Sequence, residues 1–230
     1  MKAIFSVLLL FLQLYAGPSW QKVSTTNTAT PQNVVALFHF DQSLADTSGH
    51  GHSVSLFGTA GLTNTNKFGS GSLSLAGQYG SDYARIADSN DFDFGIGDFC
   101  VSFWVYKNAD GNEGSIFAIG GDANGLVLRQ GANGNILYFV GGNYGNLTIP
   151  TGQWTHVEIS RTSGVLYGFL NGTLLISQSS PRNHQTTTGI AFRTTLEGTN
   201  FSGGNFLLDE FMVQKAGGHT TNFTPPTAPY

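Results

Sequence analysis

A single cysteine stands among 230 residues, only 10% of the side chains are charged, and no apolar run reaches the roughly 18 residues that a membrane helix needs. With Cys100 alone, an intrachain disulfide, a CxxC redox pair and a thiolate zinc site are all excluded. Its setting, Phe99-Cys100-Val101, is that of a buried, inert thiol. The ten Lys and Arg residues are scattered, never adjacent, and outnumbered by 14 Asp and Glu for a net charge of −4. Phosphate backbones need clustered cations to displace counterions, so nucleic acid is excluded as a partner. Glutamate is scarcer still: Glu113, Glu158, Glu197 and Glu210 are the four. No two of them share a strand face two or four residues apart, so the paired carboxylates of a glycoside hydrolase are missing. Nor is there a G-x-S-x-G elbow for a serine hydrolase. The chain reads as a protein that is not an enzyme.

Present in excess are Gly (31) and Phe (18), within a composition that is 40% hydrophobic. That much apolar surface excludes disorder, and the Ser, Thr, Asn and Gly around it exclude a helical bundle. From Val34 onward short apolar runs alternate with Gly/Asn/Asp/Ser clusters, the mark of an all-β chain. Strands are expected near 34–40, 53–57, 72–76, 83–87, 99–106, 115–119, 125–130, 135–140, 146–149, 153–161, 164–170, 173–178, 188–194 and 206–214, with a hairpin at Asn171-Gly172. The runs 99–106 and 206–214 are apolar on both faces, as in the middle of a sandwich whose outer surface is partly covered. There is no internal repeat, so a propeller or solenoid is not expected. Residues 1–16 carry Lys2 and an apolar stretch from Ala3, ahead of Ala16. They read as a secretory signal peptide or as a retained hydrophobic N-terminal anchor. Residues 17–33 form a linker, 34–216 the domain, and 217–230, with Pro225, Pro226 and Pro229, an extended and loosely held tail.

Several segments together resemble a known family. Leu37-Phe38-His39-Phe40-Asp41, Lys67-Phe68-Gly69-Ser70-Gly71-Ser72-Leu73, and Asp91-Phe92-Asp93-Phe94-Gly95 running to Val101-Ser102-Phe103-Trp104 stand in the order of laminin-G-like domains. Trp154-Thr155-His156-Val157, Leu170-Asn171-Gly172 and Leu208-Asp209-Glu210-Phe211 continue it. The resemblance is to the concanavalin A-like lectin/glucanase superfamily in its laminin-G-like branch, and it implies a two-sheet antiparallel jelly-roll sandwich. The phrases KFGSGSL and DFDFG also look like modules of bacteriophage virion proteins. The glucanase branch's E-x-D-x(x)-E strand is absent. The superfamily hosts lectins, adhesion domains and glucanases, so function must be argued from the site.

Three carboxylates are candidates for a metal. Asp209 shares an alternation with Leu207, Phe211 and Val213, which points it to the core, where a bare carboxylate must be paired, hydrogen-bonded or bound to a cation. Asp41 ends the first strand, beside the last strand in such a fold, and Asp46 opens the Asp46-Thr47-Ser48-Gly49 turn. Together they suit a structural Ca²⁺, which takes several oxygens; alternatively, Asp41 and Asp209 bond loop amides and tie the chain ends together. His50 and His52, two apart in a Gly-rich turn with His39 upstream, are poor evidence for zinc and read as solvent-exposed. Glycan binding needs aromatic platforms and planar polar groups, which the loops offer at Tyr79, Tyr83, Asp122, Asn124, Asn143, Tyr144 and Asn146. Trp104 and Trp154 read as core. Sequons at Asn146, Asn171, Asn200 and Asn222 matter only in a glycosylating host. The expected function is a carbohydrate-binding or adhesion module, extracellular or on a virion surface, with a glycan or cell-surface polysaccharide as partner. The alternative is a phage virion structural subunit with homo-oligomer or virion assembly partners.

Overall fold

The computed structural model describes residues 33–75, 81–108, 114–120, 125–130, 136–139, 142–186, 188–194 and 204–230. In chain order the strands are β1 (Val34–Phe38), β2 (Val54–Phe57), β3 (Gly61–Thr63), β4 (Ser72–Leu75), β5 (Tyr83–Ile86), β6 (Phe99–Lys107), β7 (Gly114–Ile119) and β8 (Leu126–Gln130). They continue as β9 (Ile136–Phe139), β10 (Gly142–Gly145), β11 (Trp154–Thr162), β12 (Val165–Leu170), β13 (Thr173–Ser179), β14 (Ile190–Phe192) and β15 (Phe206–Gln214). One 3-10 turn, Asn90–Phe92, interrupts them, and no α-helix is present among the described residues. The strand β3 lies outside the runs expected from sequence, and 146–149 is extended without pairing, the strand before it being β10.

Two antiparallel sheets face each other. The larger runs β13-β12-β11-β6-β15-β4-β3, and the smaller runs β10-β9-β8-β7-β14-β5-β2. On one side β15 meets β6; on the other it meets β4 along Phe206–Leu208 and β1 along Phe211–Gln214. First and last strands are therefore neighbours, as the resemblance implied. Between the sheets, Phe99, Val101, Phe103 and Val105 of β6 and Phe206, Leu208, Phe211 and Val213 of β15 pack against Phe117 and Phe192. The rings meet edge to face: Phe103 on Phe117 at 5.4 Å and 74°, Phe192 on Phe211 at 4.8 Å and 88°. Such offset contacts are worth about 0.5–1.5 kcal/mol each beyond burial.

The alternation in β15 breaks at one point. Asp209 pairs with Trp104 and Met212 with Ser102, so two residues, Glu210 and Phe211, oppose Phe103 alone. Glu210 stands at φ 52, the left-handed region that costs a residue with a Cβ roughly 1–2 kcal/mol. This β-bulge re-aims Asp209. It lies on the outer face of the sheet with Trp104, not on the core face with Phe211 and Val213. Strict period-2 counting cannot see an inserted residue.

The outer face of β6, β11 and β15 is covered, which explains why these strands are apolar on both sides. Lys67 Nζ lies 4.2 Å from the Trp104 ring, and Phe68 meets the same ring edge-on at 5.7 Å. The remainder is covered by 217–230. Expected to be loose, this segment is pinned along its length. Phe223 N–H donates to Gly172 O at 2.9 Å, Leu174 N–H to Asn222 Oδ1 at 2.8 Å, and Tyr230 N–H to Glu210 Oε2 at 3.0 Å. The tail is extended without strand pairing, so its prolines remove no ladder bond.

Candidate functional site

The strand β2 lies at one edge of the smaller sheet, and its exposure alternates: Val54 and Leu56 lean on the core, Ser55 and Phe57 face out. Across the ladder Phe57 pairs with Tyr83 and Ser55 with Arg85. Phe57 and Tyr83 stack at 4.3 Å and 12°, and the Arg85 guanidinium lies 5.1 Å from the Tyr83 ring. Phe57 is 38% exposed, one of three large hydrophobic side chains left open among the described residues. The turn that presents it is fastened by Asp82, which accepts from Thr59 N–H at 2.8 Å and Thr59 Oγ1–H at 2.6 Å. Gly58, at φ 66, permits that closure, because a side chain there would collide with the Asp82 carboxylate. The result is an aromatic ledge with a cation beside it on a rigid edge.

The described loop residues expected to bind a ligand lie at two edges of one sheet. Tyr83 is next to the β2 edge, whereas Asn143 and Tyr144 belong to β10 at the opposite edge of the same sheet. Asn146 follows β10 and is exposed. Tyr79, Asp122 and Asn124 lie outside the described residues. Phe57 and Arg85 were missed from sequence. Their signal was the alternation of 54–57 and 83–86, which exposes one face of an edge pair.

The three acidic candidates each hold loop amides. Asp209 Oδ2 accepts from Lys67 N–H at 2.7 Å and Phe68 N–H at 3.1 Å. Asp41 Oδ1 accepts from the amides of Ser70 and Gly71, at the other end of the same loop. The 67–71 loop is thereby tied to the first and last strands. Asp46 accepts from Leu37, Ser48 and His52 amides at 3.0, 2.9 and 3.0 Å. Partial burial pushes the Asp46 carboxyl up, but these bonds outweigh it and leave it below its ordinary value. For Asp209 burial wins and lifts the carboxyl to about 6, against the backbone amides of Phe68, Lys67 and Glu210. Its Oδ1 is buried without a partner. Among the described residues, the one set of three metal-ligating side chains whose ligand atoms converge is His50, His52 and Asp91.

A model of the concanavalin A-like lectin/glucanases superfamily matches residues 78–216. The chain belongs to that superfamily. No curated protein matches it in sequence. Among solved structures it is similar to the botulinum neurotoxin serotype D binding domain, with a TM-score of 0.63 and 21% identity over 81% of this chain and 48% of that one. A structure of the serotype D ligand binding domain in complex with N-acetylneuraminic acid matches to the same extent. The binding domain of Paraclostridial Mosquitocidal Protein 1 matches at a TM-score of 0.63 and 16% identity, covering 81% and 50% of the two chains. The chain spans about half the length of these structures, and at such identities the likeness is one of fold.

Glucanases of the superfamily need paired carboxylates, so the glutamate positions matter. Glu210 is bound by His39 Nδ1, at 3.0 and 2.9 Å from its two oxygens, and by the Tyr230 amide. Its carboxylate holds the His39 imidazole above its ordinary value. Glu158 is paired with His219 Nδ1 at 2.9 Å and accepts from the His219 amide at 2.8 Å. Glu113 and Glu197 lie outside the described residues. Both described glutamates thus anchor other segments. Beneath the tail lies a cavity of about 400 Å³ lined by Cys100, Ser102, His156, Glu158, His219 and Tyr230 among others. His156 Nε2 lies 3.0 Å from both Ser102 Oγ and Tyr230 OH, while its Nδ1 is buried with no partner. Burial, and then the neighbouring His219, lower the imidazole to about 4, so it is neutral at pH 7. A Ser–His pair whose imidazole lacks an orienting acid and shares its nitrogen with a tyrosine is a packing network, not a nucleophile. No helix among the described residues is long and apolar enough to cross a membrane.

Proposed function

We propose that the domain is a non-catalytic recognition module, displayed outside the cell or on a virion, that binds a glycan or cell-surface polysaccharide through Phe57, Tyr83 and Arg85. The observation that carries this reading is the exposed, stacked aromatic ledge at the β2 edge. Sugar rings present apolar C–H faces that lie on an aromatic ring, and a guanidinium offers paired donors to vicinal hydroxyls or a carboxylate. The toxin binding domains that share the fold, one of them in complex with N-acetylneuraminic acid, support the class of ligand. Each such contact is shallow, so function rests on several copies acting together.

A glycan array probed with the wild-type chain and with Phe57→Ala, each with and without EDTA, tests this. The expected result is binding to at least one glycan class, weakened about tenfold or more in the variant through loss of one buried aromatic contact. Loss of wild-type binding or a lower Tm in EDTA that Ca²⁺ restores and Zn²⁺ does not brings in the structural Ca²⁺ expected at Asp41, Asp46 and Asp209. Silence across all glycans, with a symmetric oligomer in solution, overturns the reading in favour of a virion structural subunit.

A further inference from the structure

The connection between β1 and β2 contains Gly49-His50-Gly51-His52, with both glycines left-handed at φ 94 and 80. That backbone turns two histidines to the same side, their rings parallel within 11° at 6.2 Å. Both meet a residue about forty positions away in sequence. His50 Nδ1 lies 2.9 Å and His52 Nε2 3.1 Å from one and the same oxygen, Asp91 Oδ2. The three ligand atoms lie within 4.8 Å of one another. Two imidazole nitrogens aimed at a single carboxylate oxygen both act as N–H donors when no ion is bound. A cation at the point where they converge takes the place of those two protons.

We propose that His50, His52 and Asp91 form a binding site for a divalent transition metal ion, with Zn²⁺ the best match. The donor set decides the metal: two imidazoles and one carboxylate suit zinc, whereas Ca²⁺ takes six to eight oxygens. The spacing agrees. Zinc bonds of about 2.0–2.1 Å set tetrahedral ligand edges of about 3.3 Å, close to the two N···O separations of 2.9 and 3.1 Å.

The surroundings hold these groups in place by bonds that do not involve the metal. The His52 amide donates to Asp46 Oδ2 at 3.0 Å and the His50 amide to Ser48 Oγ at 3.2 Å, and the His52 ring packs on Phe92 at 4.7 Å. Asp91 is the middle residue of the 3-10 turn, its amide donating to the capping Ser89 Oγ at 3.2 Å, and Lys215 Nζ donates to Asn90 O at 2.5 Å. Such outer bonds orient ligands and typically change metal affinity 10–100-fold when removed. Asp46, expected from sequence to be a calcium ligand, serves here by positioning His52. The His52 side chain is 10% exposed, Asp91 29% and His50 40%, so the site opens on one side. Three protein ligands and an open position leave room for water or for an oxygen of a bound molecule.

The site is independent of the glycan-binding reading, and its test uses Zn²⁺ alone. The full chain, stripped with a chelator, is titrated with zinc chloride in competition with a chromophoric zinc indicator, and Co²⁺ is added separately to read coordination from its visible absorption. The expected result is one ion per chain, Co²⁺ bands of four-coordinate intensity, and at least about tenfold weaker uptake in His50→Ala and in Asp91→Asn. The His50 side chain is the most exposed of the three, so His50→Ala keeps the fold, which circular dichroism checks. No stoichiometric uptake by the wild type overturns the proposal. So does unchanged uptake in a folded His50→Ala/His52→Ala variant, which would place the ion on other histidines.

Discussion

The outer faces of the two sheets are treated in opposite ways. On the larger sheet, Trp104, Ser102, His156 and Met212 face outward but are closed over by Lys67, Phe68 and the 217–230 segment. At the β2 edge of the smaller sheet, Phe57 and Arg85 face outward and stay accessible. The first surface holds more aromatic and ionisable groups and a cavity of about 400 Å³, features that usually mark a site. Yet its polar groups bond the chain's own loops, and the His156 imidazole is neutral, with Nε2 held between Ser102 and Tyr230. The second has few groups, each presented to solvent by a fastened turn. Richness in polar side chains marks here where the chain is stapled together; spare aromatic exposure marks where it can meet something else.

The largest effect should come from uncovering the first surface. Deleting residues 217–230 removes Phe223, which packs edge-on against Phe169 at 5.3 Å, and Tyr230, which fills the space beside Val34, Leu37 and Met212. It also strips partners from Glu158, His156 and Glu210. Two partly buried aromatic side chains, each worth up to about 1.5–3 kcal/mol, plus orphaned buried groups, give an expected loss of up to about 5 kcal/mol in denaturant unfolding. A loss below about 1 kcal/mol would mean that the segment only rests on the sheet and that the cavity beneath it is an open site.

How far these contrasts could be read from the chain depends on the range of the interactions. Local signals carried well: Asn171-Gly172 does join β12 to β13, and the two-faced runs are the central strands β6 and β15. What needed two distant segments was lost. The bulge at Glu210 is stabilised by His39, 171 positions away. The anchoring of the tail uses side chains and isolated amides without a periodic pattern. The meeting of His50 and His52 with Asp91 depends on the 3-10 turn at Asn90–Phe92 folding back beneath the first loop. For Asp41 and Asp209 the chain left two readings open, a Ca²⁺ cluster with Asp46 or bonds to loop amides that tie the chain ends; the loop-amide bonds are present in the fold, on the 67–71 loop.

The next effect in size separates packing from metal binding on the covered face. Burial raises Asp209 to about 6 in the folded protein, against an ordinary value near 4. The folded state therefore holds more protons than the unfolded one between those values, and the carboxylate's contribution to stability falls as pH rises from about 4 through 6. Two units amount to about 3 kcal/mol at most. The Asp209→Asn variant keeps an acceptor for the Lys67 and Phe68 amides without the charge. Its stability relative to wild type should be lowest near pH 4 and rise by up to about 3 kcal/mol by pH 7, read from urea midpoints. A constant difference across that range, with an EDTA-induced drop in Tm that is seen in the wild type and absent in Asp209→Asn, would place a cation on Asp209 instead.

The smallest effect on stability should come from the open surface. Phe57→Ala removes a half-exposed ring stacked on Tyr83, worth about 0.5–1.5 kcal/mol. Unfolding should shift by no more than about 1.5 kcal/mol, because Val54 and Leu56, which face the core, are untouched. Arg85→Ala should cost still less, its guanidinium being held by the Tyr83 ring. If the contrast between the two faces is right, these two substitutions weaken glycan binding while leaving the fold intact. Deleting the tail does the reverse at a temperature where the truncated chain remains folded: binding at the β2 edge persists while stability collapses. Glycan binding abolished by the deletion and untouched by Phe57→Ala would exchange the roles of the two surfaces.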